Sequence, residues 1–241
     1  MSEGTESTPK AENPFTRPWF LVSGGVIVVI LVLALVYALL PPVGAAPNGQ
    51  PTPTVTTDSA QPSATSGDSI CGLPQGDQTI PGPGLTSKWE LNGKTAVPTA
   101  PADFGPGKTD SGARTCYAHN PTGALFAAAN FVGTSSRADG QKIMIERLSA
   151  PSETRDKYLA TPPPFSAPRE GTNVQIAGFR IQAYSDHTAA VVVAIKNSQG
   201  GLGSQTLPLK WVQGDWKVDL SSFSPLSPID DMADFVPWSG V

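Results

Sequence analysis

Cysteine, histidine and charge of either sign are scarce in this chain. Its 241 residues include two cysteines, two histidines, and 16 Lys and Arg against 20 Asp and Glu, for a net charge of −4. Nucleic-acid binding needs clustered lysines and arginines that neutralise phosphates, and no such cluster is present, so direct nucleic-acid binding is excluded. Neither cysteine has Cys or His neighbours at zinc-ligand spacing, and no metal or cofactor is expected.

The common catalytic motifs are also missing. The sequence has no G-x-S-x-G nucleophile elbow, P-loop, H-E-x-x-H or paired-carboxylate pattern. His119 precedes a proposed helix N-cap, where local hydrogen bonding is its expected role. His187 follows Asp186 in a turn, and adjacent strand residues point to opposite faces, which disfavours an Asp-His dyad. We therefore predict a protein without enzymatic activity.

One long apolar run determines the predicted location. Residues 19–40 carry no charge and are long enough to cross the hydrocarbon core of a bilayer. A buried core helix would seldom run so long without a polar face. A secretory signal peptide has a shorter apolar region, although residues 43–46, "VGAA", resemble a cleavage site. The run predicts one uncleaved transmembrane helix.

The flanks of this run predict its orientation. Lys10 and Arg17 precede it, and the next basic residue is Lys88, so the N-terminus should be cytoplasmic and the rest extracytoplasmic. Residues 1–18 are polar and proline-broken and predict a disordered cytoplasmic tail. Residues 41–69 are rich in Pro, Thr, Ser and Ala and predict a disordered stalk. The protein is thus expected in the cell membrane with a single span.

Both cysteines follow the predicted span. Outside the cytoplasm, a disulfide between Cys71 and Cys116 is the default expectation, and it would add about 4 kcal/mol in the chain-entropy model. The alternatives are two buried free thiols or one reactive cysteine. The pairing therefore bears on the topology as well as on stability.

Residues 70–241 are expected to form the extracytoplasmic domain. Its first part, residues 70–118, is rich in Gly and Pro and predicts an irregular arm with one short strand near residues 88–91. Asn120 then predicts a helix N-cap, with an end at Gly133. A second helical region covers residues 140–160 and is interrupted at Pro151.

After Asn173 the apolar period changes from 3.6 to 2, which predicts strands. Turn signals separate the runs, and together they read as an antiparallel meander. The four predicted strands cover residues 174–185, 188–197, 204–213 and 215–220.

Two tryptophans flank a Gly-Asp turn in "LKWVQGDWKVDL" (209–220). Trp211 and Trp216 are in phase with the apolar residues of their strands, which favours a place in the core. The alternative is a ligand platform, in which these two rings and Tyr184 line a pocket on the concave face of the sheet. The two interpretations are not mutually exclusive, because a curved sheet can wrap around a pocket.

The C-terminal tail, residues 226–241, contains large apolar side chains. We expect the tail either to fold back on its own domain or to protrude and dock on a partner. The candidate docking residues are Ile229, Met232, Phe235 and Trp238.

The order of helices and strands, ending in "W-x-x-G-D-W-K-V", resembles the nuclear-transport-factor-2-like fold. The run "CYAHNPTGALFAAAN" (116–130) is similar to membrane-anchored members from high-GC Gram-positive bacteria, which are compared with the bitopic core subunit of type IV secretion systems. The resemblance covers about residues 71–225. It implies an α+β domain with a cone-shaped antiparallel sheet packed on N-terminal helices over residues 119–225. It also implies a scaffold role without catalytic residues.

Together these observations predict a non-enzymatic scaffold or assembly subunit of a cell-envelope complex, with conjugative DNA transfer as the specific process. Its expected partners are the membrane, further copies of itself and other subunits of that complex. The alternative is an extracytoplasmic module that binds a lipid or another apolar ligand in the cone pocket.

Overall fold

A computed structural model describes residues 69–164 and 173–240 of the chain. The predicted cytoplasmic tail, the transmembrane helix over residues 19–40 and all but the last residue of the stalk lie outside this part. Within the described ranges, no helix combines the length and apolar character needed to cross a bilayer.

The described residues form an α+β domain, as predicted. Its helices are α1 (Pro121–Thr134), α2 (Gly140–Arg147) and α3 (Glu153–Ala160), with a 3-10 turn at Leu220–Ser222. Its strands are β1 (Lys88–Asn92), β2 (Thr95–Thr99), β3 (Lys108–Asp110), β4 (Ala113–Thr115), β5 (Val174–Tyr184), β6 (Thr188–Asn197), β7 (Leu202–Val212), β8 (Asp215–Val218), β9 (Ser227–Pro228) and β10 (Val236–Pro237).

Helix α1 begins directly after Asn120, the predicted N-cap residue. The side-chain oxygen of Asn120 accepts a hydrogen bond from the Gly123 N–H at 2.7 Å, which satisfies a donor that has no partner within the helix. The predicted end at Gly133 was wrong by one residue. Gly133 lies inside the last turn. The position is glycine because Val97 of β2 packs there so closely that a side chain would collide with it. All residues of α1 are buried, so it is the central helix of the domain.

The second helical region divides at the proline, as predicted. Ser152 caps α3, and its side-chain oxygen accepts from the Arg155 N–H at 3.2 Å. Neither α2 nor α3 is buried all round; α3 contains no buried residue. These two helices therefore cover one end of the domain rather than its centre.

The predicted four-strand meander is confirmed. Strands β5, β6, β7 and β8 pair in sequence order and antiparallel, with β10 added beside β5 and β9 beside β7. Over residues 69–164 and 173–240 the sheet does not close on itself. Irregularities of register interrupt the β5–β6 pairing near Ile176 and Ile181, and such bulges bend a strand.

The core lies between α1 and this sheet, where alternate strand residues meet the helix. Its largest fully buried side chains include Phe126, Phe131, Phe179, Leu125, Ile176, Leu207, Leu209, Val191 and Val193.

The arm is more regular than predicted. Strand β1 was expected, but β2 was not, and neither was the hairpin of β3 and β4. Pro98 lies within β2 and argues against a strand in a sequence reading, yet all five residues of β2 are buried against α1. The predicted disulfide between Cys71 and Cys116 is present and fastens the start of the arm to the segment before α1.

Candidate functional site

An apolar groove lies at the end of the domain that α2 and α3 cover. Its volume is about 730 Å³, within the range typical of small-molecule sites. It is bordered by the last turn of α1, by α2 and α3, by the start of β5 and the end of β6, and by the segment after β8. Its larger apolar lining residues include Phe131, Val132, Met144, Ile145, Val174, Ile195, Leu220, Phe223 and Leu226.

The groove exists because the apolar faces of several elements converge there without filling the space between them. Phe131 of α1 meets Phe223 edge to face, with ring centroids 5.8 Å apart. Near this pair, Leu226 is 50% exposed to solvent. An exposed leucine beside a concave apolar wall leaves surface that an apolar ligand could remove from water.

Two smaller depressions extend the groove. One, of about 300 Å³, lies toward the β6–β7 hairpin and shares Val174, Ile195 and Leu226 with it. The other, of about 200 Å³, lies between α2 and α3 and shares Ile145 and Tyr158. Because the linings overlap, the three form one elongated surface.

One rim of the groove is cationic. Lys94, in the turn between β1 and β2, and Arg137, just after α1, both line it. The backbone N–H of Lys94 donates to Ser136 Oγ at 2.9 Å, so this turn lies directly against the end of α1. The rim therefore brings two cations from distant parts of the chain to one place.

The lining offers little for proton transfer. The titratable side chains of the main groove are Lys94, Arg137 and Tyr158, with neither a carboxylate nor an imidazole among its described lining residues. The depression between α2 and α3 adds Lys142 and Glu146. The described residues also contain no group of three or more potential metal ligands. The chemistry available at this site is apolar contact plus positive charge at one rim.

The three aromatic residues proposed for a pocket do come together, but elsewhere. The Trp211 and Trp216 rings meet edge to face at 5.2 Å, and Tyr184 lies 5.7 Å from Trp216. His119 joins them and stacks on Trp211 at 4.0 Å. Trp216 is buried and donates its indole N–H to the Ala118 carbonyl at 3.0 Å. These contacts are those of a packed core edge, and none of the three predicted residues lines the groove; their role as a ligand platform stays a prediction.

Tyr184 contributes a hydroxyl group to this cluster. Its hydroxyl donates to Gln78 Oε1 at 3.0 Å. Burial, together with the charge of Asp186, raises the pKa of Tyr184 to about 12. The phenol therefore stays protonated at neutral pH and acts as a hydrogen-bond donor that ties the arm to β5.

The C-terminal tail packs on its own domain. β10 pairs with β5 at Phe179 and Gly178, and the tail crosses Gly178 so closely that a side chain there would collide with the Val236 carbonyl oxygen. Trp238 is buried, while Ile229, Met232 and Phe235 are half-buried. Of the two expectations for the tail, folding back describes this arrangement; a docking role of these four residues stays a prediction.

Comparison with known proteins gives one match. Residues 51–237 match the model of a domain of unknown function, DUF8175. The chain belongs to the DUF8175 family. Neither the curated proteins nor the solved structures contain a match.

Sequence reasoning missed the groove of this DUF8175 domain. Phe131 lies in the helix that was predicted after Asn120, but Phe223 and Leu226 follow the last strand of the meander without any period. A weak signal existed, since both are large apolar residues in a polar, proline-containing segment. Their convergence with α2 could not be inferred from that segment alone.

Proposed function

We propose that this protein is a non-enzymatic, membrane-tethered binding protein of the cell envelope, and that its extracytoplasmic domain receives an apolar ligand in the groove between α1, α2 and the sheet. The observation that carries the proposal is the groove itself. Its walls are mainly apolar, its volume suits a small molecule, and an exposed leucine stands at its edge.

The chemistry of the lining favours binding over catalysis. General acid–base catalysis needs a group whose pKa lies near the working pH and which reaches the reacting atoms. The described lining of the main groove supplies lysine, arginine and tyrosine but neither a carboxylate nor an imidazole, the groups most often used as general acid or base. Retention of an apolar molecule requires none of these.

The location rests on two supports. The disulfide between Cys71 and Cys116 fits an oxidising compartment, which agrees with the orientation expected from the basic residues before the apolar run. The run at residues 19–40 would hold the domain at the membrane, and the stalk at residues 41–69 would set its reach. Lipids would then be the nearest source of apolar ligands.

Photolabelling with a neutral apolar probe tests the proposal. The full-length chain in membrane vesicles is irradiated with hexadecanol carrying a diazirine in its chain, and labelled peptides are located by mass spectrometry. Labels are expected on peptides containing Phe131, Met144 or Phe223. Leu226→Glu places a charge at the edge of the groove and should lower this labelling roughly tenfold, because a ligand that covers this exposed leucine would gain about 1–2 kcal/mol.

Leu91→Glu is the matched control. Leu91 is 70% exposed on β1 and does not line the groove, so its substitution should leave labelling of the groove unchanged. Labels spread evenly over the domain surface, with no effect of Leu226→Glu, would contradict the proposed function.

A second candidate function is the scaffold or assembly role in a conjugative, type IV secretion-like complex, with the cone-type domain that the resemblance implies. It is favoured by the exposed Leu159 and Leu226 (41% and 50%), which extend the apolar surface beyond the groove on two sides. A partner subunit could cover such a surface. Crosslinking in native membranes should then recover multimers of this chain together with secretion ATPase or channel subunits, whereas recovery of the monomer alone would rule this role out.

A further inference from the structure

The cationic rim of the groove contrasts with the rest of the protein. The chain carries a net charge of −4, yet the charged side chains that line the main groove are Lys94 and Arg137. Asp139 is the acidic neighbour of Arg137. Counting these three groups, the rim carries a net charge of +1, opposite in sign to the whole protein.

Arg137 is held in place before any ligand arrives. Its Nε and Nη2 donate to the two carboxylate oxygens of Asp139 at 2.8 and 3.0 Å. On another side the guanidinium lies against Gly112 in the β3–β4 turn, where a side chain would collide with it. A guanidinium fixed in this way loses little conformational entropy when it binds another anion, and its Nη1 has no hydrogen-bond partner among the described residues.

Lys94 supplies a second, uncommitted charge. Its backbone is fixed by the hydrogen bond to Ser136, while its side chain makes no ion pair within the described residues. Because this ammonium is exposed, it stays hydrated while the groove is free of ligand. When an anionic ligand binds, the ammonium adds electrostatic attraction to the apolar contacts.

We propose that the groove selects single-chain amphiphiles with an anionic head group, of which a long-chain carboxylate is the simplest. The head group lies between Lys94 and Arg137, and the chain follows the elongated apolar surface toward Leu226. This inference rests on the proposed function and deepens it by assigning the ligand class. The continuity of the three depressions favours an extended chain over a compact ring system.

The test compares two photoactivatable probes that differ only in the head group. Full-length protein in membrane vesicles is irradiated with diazirine-bearing hexadecanoic acid or with the hexadecanol probe, and label on the groove peptides is quantified for each. We expect the acid to label the groove several-fold more than the alcohol, because each cation contributes about two- to fivefold, the range of an exposed ion pair.

Charge reversal at the rim supplies the second arm. Lys94→Glu should remove most of the preference for the acid, measured as the ratio of acid to alcohol labelling on the groove peptides. Lys88→Glu is the control, since Lys88 is an exposed lysine of β1 that does not line the groove. Arg137→Gln should also reduce the preference, without the charge reversal.

The outcomes separate this inference from the function on which it rests. Equal labelling by acid and alcohol, or a preference that survives Lys94→Glu, overturns the head-group assignment and leaves the proposed function standing. Absence of groove labelling by either probe overturns the proposed function itself. A preference lost in Lys94→Glu and retained in Lys88→Glu supports the assignment.

Discussion

Replacement of Asp215 by alanine should lower the free energy of unfolding by about 3–5 kcal/mol, the cost of breaking one side of a buried ion pair. Asp215 is 2% exposed at the start of β8. Its carboxylate accepts from the backbone N–H groups of Cys116 and Tyr117 at 3.0 and 2.9 Å. It also pairs with the Lys217 ammonium at 2.9 Å.

The size of the effect follows from what alanine would leave behind. Two buried N–H groups beside the disulfide would lose their acceptor, and a largely buried ammonium would lose its counter-ion. The same carboxylate connects the segment beside the disulfide to the β7–β8 hairpin, so this link to the sheet would also be lost. Chemical unfolding followed by tryptophan fluorescence measures the change, because Trp216 is the next residue.

Asp234→Ala is the control for this measurement. Asp234 is also an aspartate in an ion pair, with Arg180 at 3.6 Å, but its side chain is 80% exposed. Exposed pairs contribute about 0–1 kcal/mol, so the control should scarcely move the midpoint. A similar, small change in both variants would show that the buried network does not stabilise the domain.

Replacement of Trp238 by alanine should lower the free energy of unfolding by about 3–5 kcal/mol, the cost expected for a buried tryptophan. Trp238 is 6% exposed. Its ring lies 4.8 Å from that of Trp89, 5.7 Å from Phe126 and 5.4 Å from Phe179. One side chain of the tail thus joins β1, α1 and β5, and its loss would open a cavity among all three.

This prediction also tests the two expectations for the tail. If Trp238 belongs to the core, Trp238→Ala lowers stability, and Leu91→Ala, at a residue 70% exposed, changes it by less than about 0.5 kcal/mol. Unchanged stability in Trp238→Ala would mean that the tail is not packed in solution, and its four apolar residues would again be candidates for docking. Equilibrium unfolding of the two variants and the parent chain gives the answer.

The elements with a strong local signal were predictable from the sequence. Asn120 and Ser152 start helices because their side chains satisfy N–H groups that the helix leaves without partners. The meander followed from alternation with period 2, since each strand must place one face against the helix. The disulfide was predictable because the chain has only two cysteines and both follow the apolar run.

The arm contains three strands that local sequence patterns do not predict. β3 and β4 have three residues each, too short for any period to be visible. β2 contains a proline that ordinarily marks an edge or the absence of a strand. These segments are strands because β2 is buried against α1 and because hairpin partners are available, neither of which is encoded within the segment itself.

The aromatic cluster around Trp211 and Trp216 shows the same limit of prediction from sequence. The phase of Trp211 and Trp216 along their strands correctly placed both rings toward the packed side. Phase does not say which neighbours arrive there, and His119, from before α1, was one that it did not predict. The sequence therefore indicates that both rings point inward. Their stacking partners depend on how the segment before α1 crosses the β7–β8 hairpin.

Composition and local pattern were thus enough for the apolar run, the helices, the four-strand meander, the pairing of the cysteines and the lack of a catalytic motif, because each depends on residues close in sequence or on simple counts. The groove and its charged rim depend on something else. Lys94, Arg137, Met144 and Leu226 come from four separate segments, and they meet only because α1 packs across the sheet and leaves space at one end that α2 and α3 do not fill. The location of a cavity is set by how imperfectly packed elements fit together, a property of the whole domain that no single segment carries.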